Sequence, residues 1–231
     1  MCIVSLLIFT GFHVTSQEKE QRLFLSGYIK NLHGFSFIDR LEQLQWTTLL
    51  HNRLNFKYMP SGEVNIRLAI RNRVFYGDNV KNVPGFSDAM AQDNGLATLS
   101  WNIIDGDGFL FNTTIDRALV SYTKGSWDIT LGRQRVNWGV NLIWNPNDIF
   151  NTYNFLDFDY EERPGSDALR VQYQWGAFSK IELAAKKGSR KEDYIVAAMY
   201  KFNTWSYDIQ FITGLYQKDW IIGAGWAGNL R

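Results

Sequence analysis

The sequence is poor in the residues that build disulfide frameworks and disordered segments. In a chain of 231 residues, the single cysteine, Cys2, excludes an internal disulfide and a Cys-rich metal site. Only four prolines are present, and aromatic residues make up 16% of the chain, a composition that favours a folded β protein. The formal net charge is +1, so the overall charge predicts neither a nucleic-acid partner nor a strongly charged one.

Long hydrophobic runs are also missing. The largely apolar run Ile3–Phe12 is too short to cross a bilayer as a helix, and no later run is long enough. We interpret it as the core of a signal peptide over residues 1–17, followed by a mature domain over residues 18–231. Because the usual basic residues before such a core are missing, the signal is atypical or begins upstream. The alternative interpretation is a buried N-terminal strand.

Apolar and polar residues alternate with a period of two through most of the chain after residue 20. Trp46 and Leu50, for example, share one face, whereas His51 and Arg53 share the other. This pattern is typical of β-strands, in which successive side chains point to opposite faces. It predicts about ten strands, of which the first lies around Leu23–Lys30.

Strand length and strand connections favour a membrane barrel over a soluble sandwich or barrel. A soluble β protein turns its apolar face inward, whereas a membrane barrel turns it towards lipid. Several runs reach about ten residues, which suits a tilted strand that crosses a bilayer. Short links alternate with long ones at residues 31–43, 77–115 and 136–166, as expected when one rim carries turns and the other carries loops. The short link Gln217–Lys218 does not follow this alternation.

Aromatic residues flank all four tight links, which read "MPSG", "KG", "GA" and "NT" in the sequence. Examples are Tyr58 at the first link, Trp127 at the second, Phe178 at the third and Trp205 at the fourth. Indole and phenol rings prefer the membrane–water interface, where one end of the ring is wet and the other is apolar. The placement therefore predicts an aromatic girdle at one rim of a barrel.

The stretch "LGRQRVNWGVNLIWNPNDIFNTYNFLDFDYEERPGSDALRVQY", residues 131–173, resembles a segment of outer-membrane porin-like β-barrels of the Bacteroidota. These barrels are grouped with alginate-export-like or uncharacterised porin families, and the resemblance extends over most of the chain from about residue 21. It implies an antiparallel transmembrane β-barrel with long extracellular loops in the outer membrane of a Gram-negative bacterium. The implied partners are outer-membrane lipid, small solutes and the barrel-assembly machinery.

Barrels of this kind usually end on a strand with a C-terminal aromatic residue. This sequence ends in "GWAGNLR", so we expect an N-terminal fragment of a longer barrel. Ten strands alone can also close a narrow barrel, and this alternative stays open.

If the apolar faces contact lipid, the opposite faces line a lumen in which basic residues outnumber acids such as Asp128, Glu182 and Asp208. The predicted pore-lining residues are His51, Arg53, Lys57, Arg67, Arg71, Arg73, Arg117 and Arg170. A basic lumen concentrates anions, so the prediction is a channel for passive passage of small polar or anionic solutes. The alternative is that the arginines pair with acids of strands missing from this sequence and only fill the lumen.

The long link 136–166 is too aromatic for a solvated loop. Six of its aromatic residues favour burial: Trp138, Trp144, Phe150, Tyr153, Phe155 and Phe158. We therefore expect the loop to fold into the lumen and narrow it. The predicted constriction residues are Arg133, Arg135, Asp148, Asp157, Asp159, Glu161, Glu162 and Arg163. A compact extracellular lid with internal salt bridges is the alternative.

The sequence contains no G-x-S-x-G elbow, Walker motif or dinucleotide fingerprint, and its histidines have no metal-ligand spacing. We therefore predict no enzyme activity, no cofactor and no metal. Two alternative functions remain. One is a soluble β-sandwich that binds carbohydrate through Trp and Asn side chains, and the other is an outer-membrane barrel enzyme with Ser and His on its strands.

Overall fold

The chain forms eleven β-strands and two short helices within the residues that the structure describes. This computed structural model describes residues 22–37, 44–140, 145–150 and 165–228, so the predicted signal peptide at residues 1–17 lies outside them. In chain order the elements are β1 (Leu23–Ser36), β2 (Gln45–Tyr58), β3 (Val64–Gly77), α1 (Asp78–Asn82), α2 (Phe86–Ala91), β4 (Ser100–Gly106), β5 (Phe109–Lys124), β6 (Trp127–Gln134), β7 (Ser166–Trp175), β8 (Ser179–Lys187), β9 (Tyr194–Thr204), β10 (Tyr207–Tyr216) and β11 (Asp219–Gly228).

The strands form one antiparallel sheet. Its order is β1-β2-β3-β5-β6-β7-β8-β9-β10-β11, with β4 paired to β5 off this path. Leu23 pairs with Tyr58 between β1 and β2, and Tyr207 pairs with Thr204 between β10 and β9. Within the described residues, β1 and β11 stand at the two ends of this order and are not paired with each other. The prediction of an all-β antiparallel fold is confirmed.

The strand count of eleven corrects the prediction of about ten. Residues 77–115, predicted as one long link, contain α1, α2, β4 and the first part of β5. Strand β4 escaped prediction because its register on β5 shifts between Asn102 and Ile104. A bulge of this kind interrupts the period of two on which strand prediction depends. Strand β1 also continues past Lys30 to Ser36.

Two-residue turns join several neighbouring strands. Gly125 begins the β5–β6 turn with φ 57°, and Trp205 and Ser206 form the β9–β10 turn with φ 50° and 67°. Positive φ values at these positions match the twist of antiparallel hairpins. Because the strands are antiparallel, the turns after β5, β7 and β9 lie at one end of the strands, and the connections after β6, β8 and β10 lie at the other.

The described residues fall into two compact units. Unit 1 takes residues within 1–58, 68–93 and 99–116, and unit 2 takes residues within 59–67, 94–98 and 117–231. In unit 1 a small apolar cluster contains Phe75, Met90 and Leu110. The apolar cluster of unit 2 contains Val136, Trp138, Phe150, Ala168, Ala184, Ile195, Ala197, Met199 and Ile212. Among the described helices, none has the length and apolar character needed to cross a membrane.

Candidate functional site

Strands β2 and β3 bury charged side chains and expose apolar ones. His51 and Arg53 of β2 are buried, as are Arg71 and Arg73 of β3. Leu50, which precedes His51, is 44% exposed. A sheet in a water-soluble protein normally packs its apolar face against the core and turns its polar face to water. The burial on these strands of unit 1 is the reverse of that arrangement.

Unit 2 shows the same reversal. On β8 the carboxylate residue Glu182 is 2% exposed, whereas the adjacent Leu183 is 52% exposed. On β6 Thr130 is buried, whereas Leu131 is 62% exposed. Because successive strand residues point to opposite faces, each unit has a buried face that carries polar groups, joined in unit 2 by apolar residues such as Ala184 and Met199, and an exposed face rich in apolar groups. We call the first of these the polar face.

Asp116 of β5 is the centre of the polar face in unit 1. Its Oδ2 accepts a hydrogen bond of 2.7 Å from Arg53 Nη1, and its Oδ1 lies 3.2 Å from Arg71 Nη2. Arg53 also donates from Nε to Asn55 Oδ1 at 3.0 Å. Charge-assisted hydrogen bonds of this kind are about twice as strong as neutral ones. One buried carboxylate here interacts with two guanidinium groups.

Helix α2 covers part of this polar face. Arg73 Nη2 donates to Asn112 Oδ1 at 2.9 Å and to the Met90 carbonyl of α2 at 3.3 Å. The Phe86 ring of α2 packs edge-on against Phe75, with 5.3 Å between ring centroids. The guanidinium group of Arg73 is therefore enclosed by protein.

The eight residues predicted to line a pore have three kinds of environment. Five of them are buried: His51, Arg53, Arg71, Arg73 and Arg117. Lys57 and Arg170 are half-buried, and Arg67 is exposed. Arg170 pairs with Asp128 at 3.0 Å. Arg53, Arg71 and Arg170 therefore pair with acids of the described strands, Asp116 of β5 and Asp128 of β6, rather than with acids of missing strands.

Arg133, one of the predicted constriction residues, clamps residues 94–98 against the beginning of β7. Its Nε and Nη2 donate to the two carboxylate oxygens of Asp167, each at 2.8 Å, and Nη2 also donates to the Ala97 carbonyl at 2.7 Å. The Ala97 N–H donates to Asp167 Oδ2 at 3.2 Å. Gly95 lies so close to this ion pair that a Cβ atom there would overlap the Arg133 guanidinium.

The chain after β6 returns to the polar face of unit 2. We call residues 135–140 and 145–150 the docked segment. The Trp138 indole N–H donates to Glu182 Oε1 at 2.8 Å, and Gln210 Nε2 donates to the Trp138 carbonyl at 2.6 Å. Lys180 pairs with the other oxygen of Glu182 at 3.0 Å. Trp138 and Glu182 are each 2% exposed, so this hydrogen bond is shielded from water.

Phe150 anchors the far end of the docked segment. Its ring packs edge-on against Trp138, with 4.9 Å between centroids. Its carbonyl accepts hydrogen bonds from Lys186 Nζ at 2.8 Å and from Ser166 Oγ. Trp138 and Phe150 are both buried, as predicted from the sequence. The other four aromatic residues predicted to be buried, Trp144, Tyr153, Phe155 and Phe158, lie outside the described residues.

The remaining predicted constriction residues are only partly described. Arg135 is exposed, and Asp148 is half-buried, with its backbone N–H bonded to the Asn145 carbonyl at 3.1 Å. Five more lie outside the described residues: Asp157, Asp159, Glu161, Glu162 and Arg163. Arg133 is therefore buried in its ion pair with Asp167, whereas the Arg135 side chain is exposed.

The β8–β9 connection, at the same strand end as the docked segment, is closed by an ion pair. Arg190 Nε donates to Asp193 Oδ2 at 2.9 Å. The hydrogen bond from Arg190 lowers the pKa of the Asp193 carboxyl. Gln217 of the β10–β11 turn donates to the Asp193 carboxylate at 3.3 Å, and Lys218 pairs with Glu192 at 2.6 Å. These contacts join the two neighbouring connections.

Three residues of the observed contacts were not among the predicted site residues: Asp116, Asp167 and Gln210. Asp116 was missed because it lies beside Arg117, where two consecutive residues are buried and the alternation changes phase. A single acid in a strand, where the neighbouring strands carry several arginines, is the signal that would have identified Asp116. Asp167 and Gln210 carry no local signal, because their partners are about 34 and 72 residues away.

Among the described residues no group of three His, Cys, Asp or Glu side chains is placed to hold a metal ion. Comparisons with protein-family models, with curated proteins and with solved structures found no match.

Proposed function

We propose that this chain is an outer-membrane β-barrel protein that lets small polar solutes, preferentially anions, pass through its interior by diffusion. The observation that carries the proposal is the reversed burial in both units. Polar side chains such as Arg53 and Glu182 are enclosed, and large apolar side chains such as Leu50 and Leu183 are exposed. This is the arrangement that a lipid environment favours, because hydrocarbon surrounds the outside of the sheet and water reaches only its inside.

The extent of the apolar exposure disfavours the soluble carbohydrate-binding alternative. On β9 Val196 and Tyr200 are exposed, on β10 Phe211, and on β11 Trp220 and Ile222, the last at 90%. Exposed apolar surface in water costs about 25 cal/mol per Å². Contiguous apolar surface on this scale marks contact with a membrane or another protein. Hydrocarbon on that face removes the cost.

A row of aromatic rings supports a membrane interface at the end of unit 2 that carries the β5–β6, β7–β8 and β9–β10 turns. Trp127 contacts Tyr173 at 4.8 Å between centroids, Trp175 stacks on Tyr200 at 5.8 Å, and Tyr200 stacks on Phe202 at 5.1 Å. Aromatic belts of this kind lie at the level of lipid headgroups. The row therefore supports an orientation with these turns at one surface of the bilayer.

The charge balance of the buried groups supports anion preference. Among the described residues the buried charged groups are five arginines and two acids: Arg53, Arg71, Arg73, Arg117, Arg133, Asp116 and Glu182. Fixed positive charge in a low-dielectric interior raises the local concentration of anions. Because several of these arginines are enclosed by protein, they act on a passing solute through their field rather than by contact.

The docked segment supports a narrow passage rather than a wide one. It occupies the polar face of unit 2 through Trp138, Phe150 and their partners Glu182, Gln210 and Lys186. Side chains inside a barrel of modest strand number fill much of its interior, and an inserted segment narrows what remains. Closure requires partners for the edges of β1 and β11, which are either each other or additional strands.

Cell fractionation and conductance test the proposal together. Cells that express the full chain are expected to carry it in the outer-membrane fraction, with gel mobility that changes on heating. In planar bilayers the purified protein is expected to produce stepwise conductance. With different salt concentrations on the two sides, its reversal potential is expected to have the sign that anion permeation gives. Recovery in the soluble fraction, or folded protein that never conducts, would refute the channel.

A further inference from the structure

The docked segment has two different sides. Val136 and Trp138 are buried against the strands, whereas Arg135 and Asn137, which alternate with them, are exposed. Alternation of this kind follows from an extended backbone, in which successive side chains point in opposite directions. Because Trp138 is held by Glu182, the side chains of Arg135 and Asn137 are directed away from the polar face.

The exposed side of the segment offers hydrogen-bond donors. Within the described residues, the Arg135 guanidinium makes no hydrogen bond or ion pair, and it has five N–H donors and no acceptor. The Asn137 Oδ1 accepts a bond of 3.3 Å from the Gly139 N–H, and the Asn137 amide NH₂ donates to no group of the described residues. Two residues apart in an extended chain, these groups are about 7 Å apart at their backbones.

We propose that Arg135 and Asn137 form a binding site for an oxyanion, either a carboxylate or a phosphate group, on the solute path. The guanidinium fork matches two oxygens of such a group, and the Asn137 NH₂ supplies another donor. The inference deepens the proposed channel function, on which the position of the site along the solute path rests. The binding chemistry itself depends only on the docked segment of unit 2.

Trp138, Glu182 and Gln210 are positioning residues for this site. The indole N–H of Trp138 donates to Glu182 and the Trp138 carbonyl accepts from Gln210, so the residue next to Asn137 is held through both its side chain and its backbone. Residues that hold a binding group within a fraction of an ångström of its productive position contribute to affinity through preorganisation. Loss of these bonds frees the backbone that carries both donors.

Calorimetric titration of the purified full chain with inorganic phosphate, and separately with acetate, tests the site. We expect R135Q to weaken binding of the preferred anion by about tenfold to a hundredfold, the size of a charged hydrogen bond, and N137A by a smaller factor. R190Q, which removes an exposed arginine of the β8–β9 connection, should bind as the wild type does. Equal affinity in R135Q, or no binding of either anion by the wild type, overturns the site. The stronger of the two titrations identifies the group as phosphate or carboxylate.

Two substitutions of Glu182 separate positioning from general stability. E182Q keeps a side-chain oxygen that can accept the Trp138 N–H bond, whereas E182A does not. Measured on folded protein, E182A should weaken anion binding and E182Q should retain most of it; equal affinities in the two variants would contradict the positioning role.

Conductance separates the proposed anion site from the proposed channel. Anion binding that depends on Arg135 in a protein that does not conduct refutes the channel alone, whereas conductance with binding insensitive to R135Q refutes the site alone.

Discussion

At the scale of single residues, Asp116 determines whether the buried arginines of unit 1 are tolerated. It interacts with Arg53 at 2.7 Å and Arg71 at 3.2 Å, and all three side chains are at most 9% exposed. Removal of one member of a buried ion pair leaves the remaining charge without compensation, which is more harmful than the absence of both. The carboxylate is therefore required by the arginines around it.

We expect D116N to destabilise the folded protein by about 3–5 kcal/mol, the typical cost of breaking a buried ion pair. D107N is a suitable control, because Asp107 pairs with Lys81 at 3.0 Å but both side chains are more than half exposed. Exposed pairs contribute about 0–1 kcal/mol. Denaturant unfolding of both variants measures the difference, and equal midpoints would contradict the role given to Asp116.

Gly95 is a second residue whose identity is fixed by a neighbour. A Cβ atom there would overlap the Arg133 guanidinium and approach Asp167 Oδ2 to 2.5 Å. We expect G95A to cost about 1–3 kcal/mol, the usual penalty of overpacking. G62A is the control, because no heavy atom lies within 4 Å of the position where its Cβ would be. Thermal unfolding that ranks the two variants equally would rule out the clamp.

At the scale of elements, the period of two in each strand decides which groups face inward. Leu183 is the fifth of nine residues in β8 and is exposed, between the buried Glu182 and Ala184. The alternation was visible in the sequence, and it predicted this division on β2, β3 and β6. It failed at β4 and at the phase change between Asp116 and Arg117, because bulges and phase changes depend on pairing partners.

The substitution L183R distinguishes lipid from water on the exposed face. We expect it to destabilise the protein folded in a bilayer by about 2–4 kcal/mol, because an arginine near the bilayer midplane is costly. In water, a charged residue at an exposed position would change stability by about 0.5 kcal/mol or less. Folding titrations in lipid vesicles measure the effect.

L96R is the matched control for L183R. Leu96 is 65% exposed but lies outside the strands, so we expect no penalty there. A negligible effect of L183R would place its face in water and remove the membrane proposal.

The β8–β9 connection makes a pH-dependent contribution. Because Arg190 lowers the pKa of Asp193, the stabilising contact is complete above the ordinary pKa of an aspartate and is lost as the pH falls through the lowered value. We expect an NMR titration of the Asp193 carboxyl to have its midpoint below 3.8. R190Q should move that midpoint upward, and an unchanged midpoint would show that the pair does not form in solution.

At the scale of the whole molecule, the buried charged groups of the described residues are five arginines and two acids, while the chain as a whole is nearly neutral, with a net charge of +1. An electrostatic preference of this origin weakens as salt screens it. The Debye length is about 30 Å at 0.01 M salt and about 3 Å at 1 M. We therefore expect the anion-to-cation permeability ratio in planar bilayers to fall as the salt concentration is raised. A ratio of one at all concentrations would contradict the role of the buried arginines.

The sequence by itself determined the antiparallel all-β fold and which side chains share a face. Both follow from local backbone geometry, since neighbouring residues in a strand point to opposite sides whatever the tertiary partners are. The sequence also identified Trp138 and Phe150 as residues that need burial.

Only the tertiary structure decided which groups compensate one another. Asp116 bonds to Arg53 across 63 residues, Trp138 to Glu182 across 44, and Arg133 to Ala97 across 36. Partners at such separations are selected by strand register and by the return of connecting segments to the polar face. No short stretch of sequence contains that information, because register is a property of two strands rather than one.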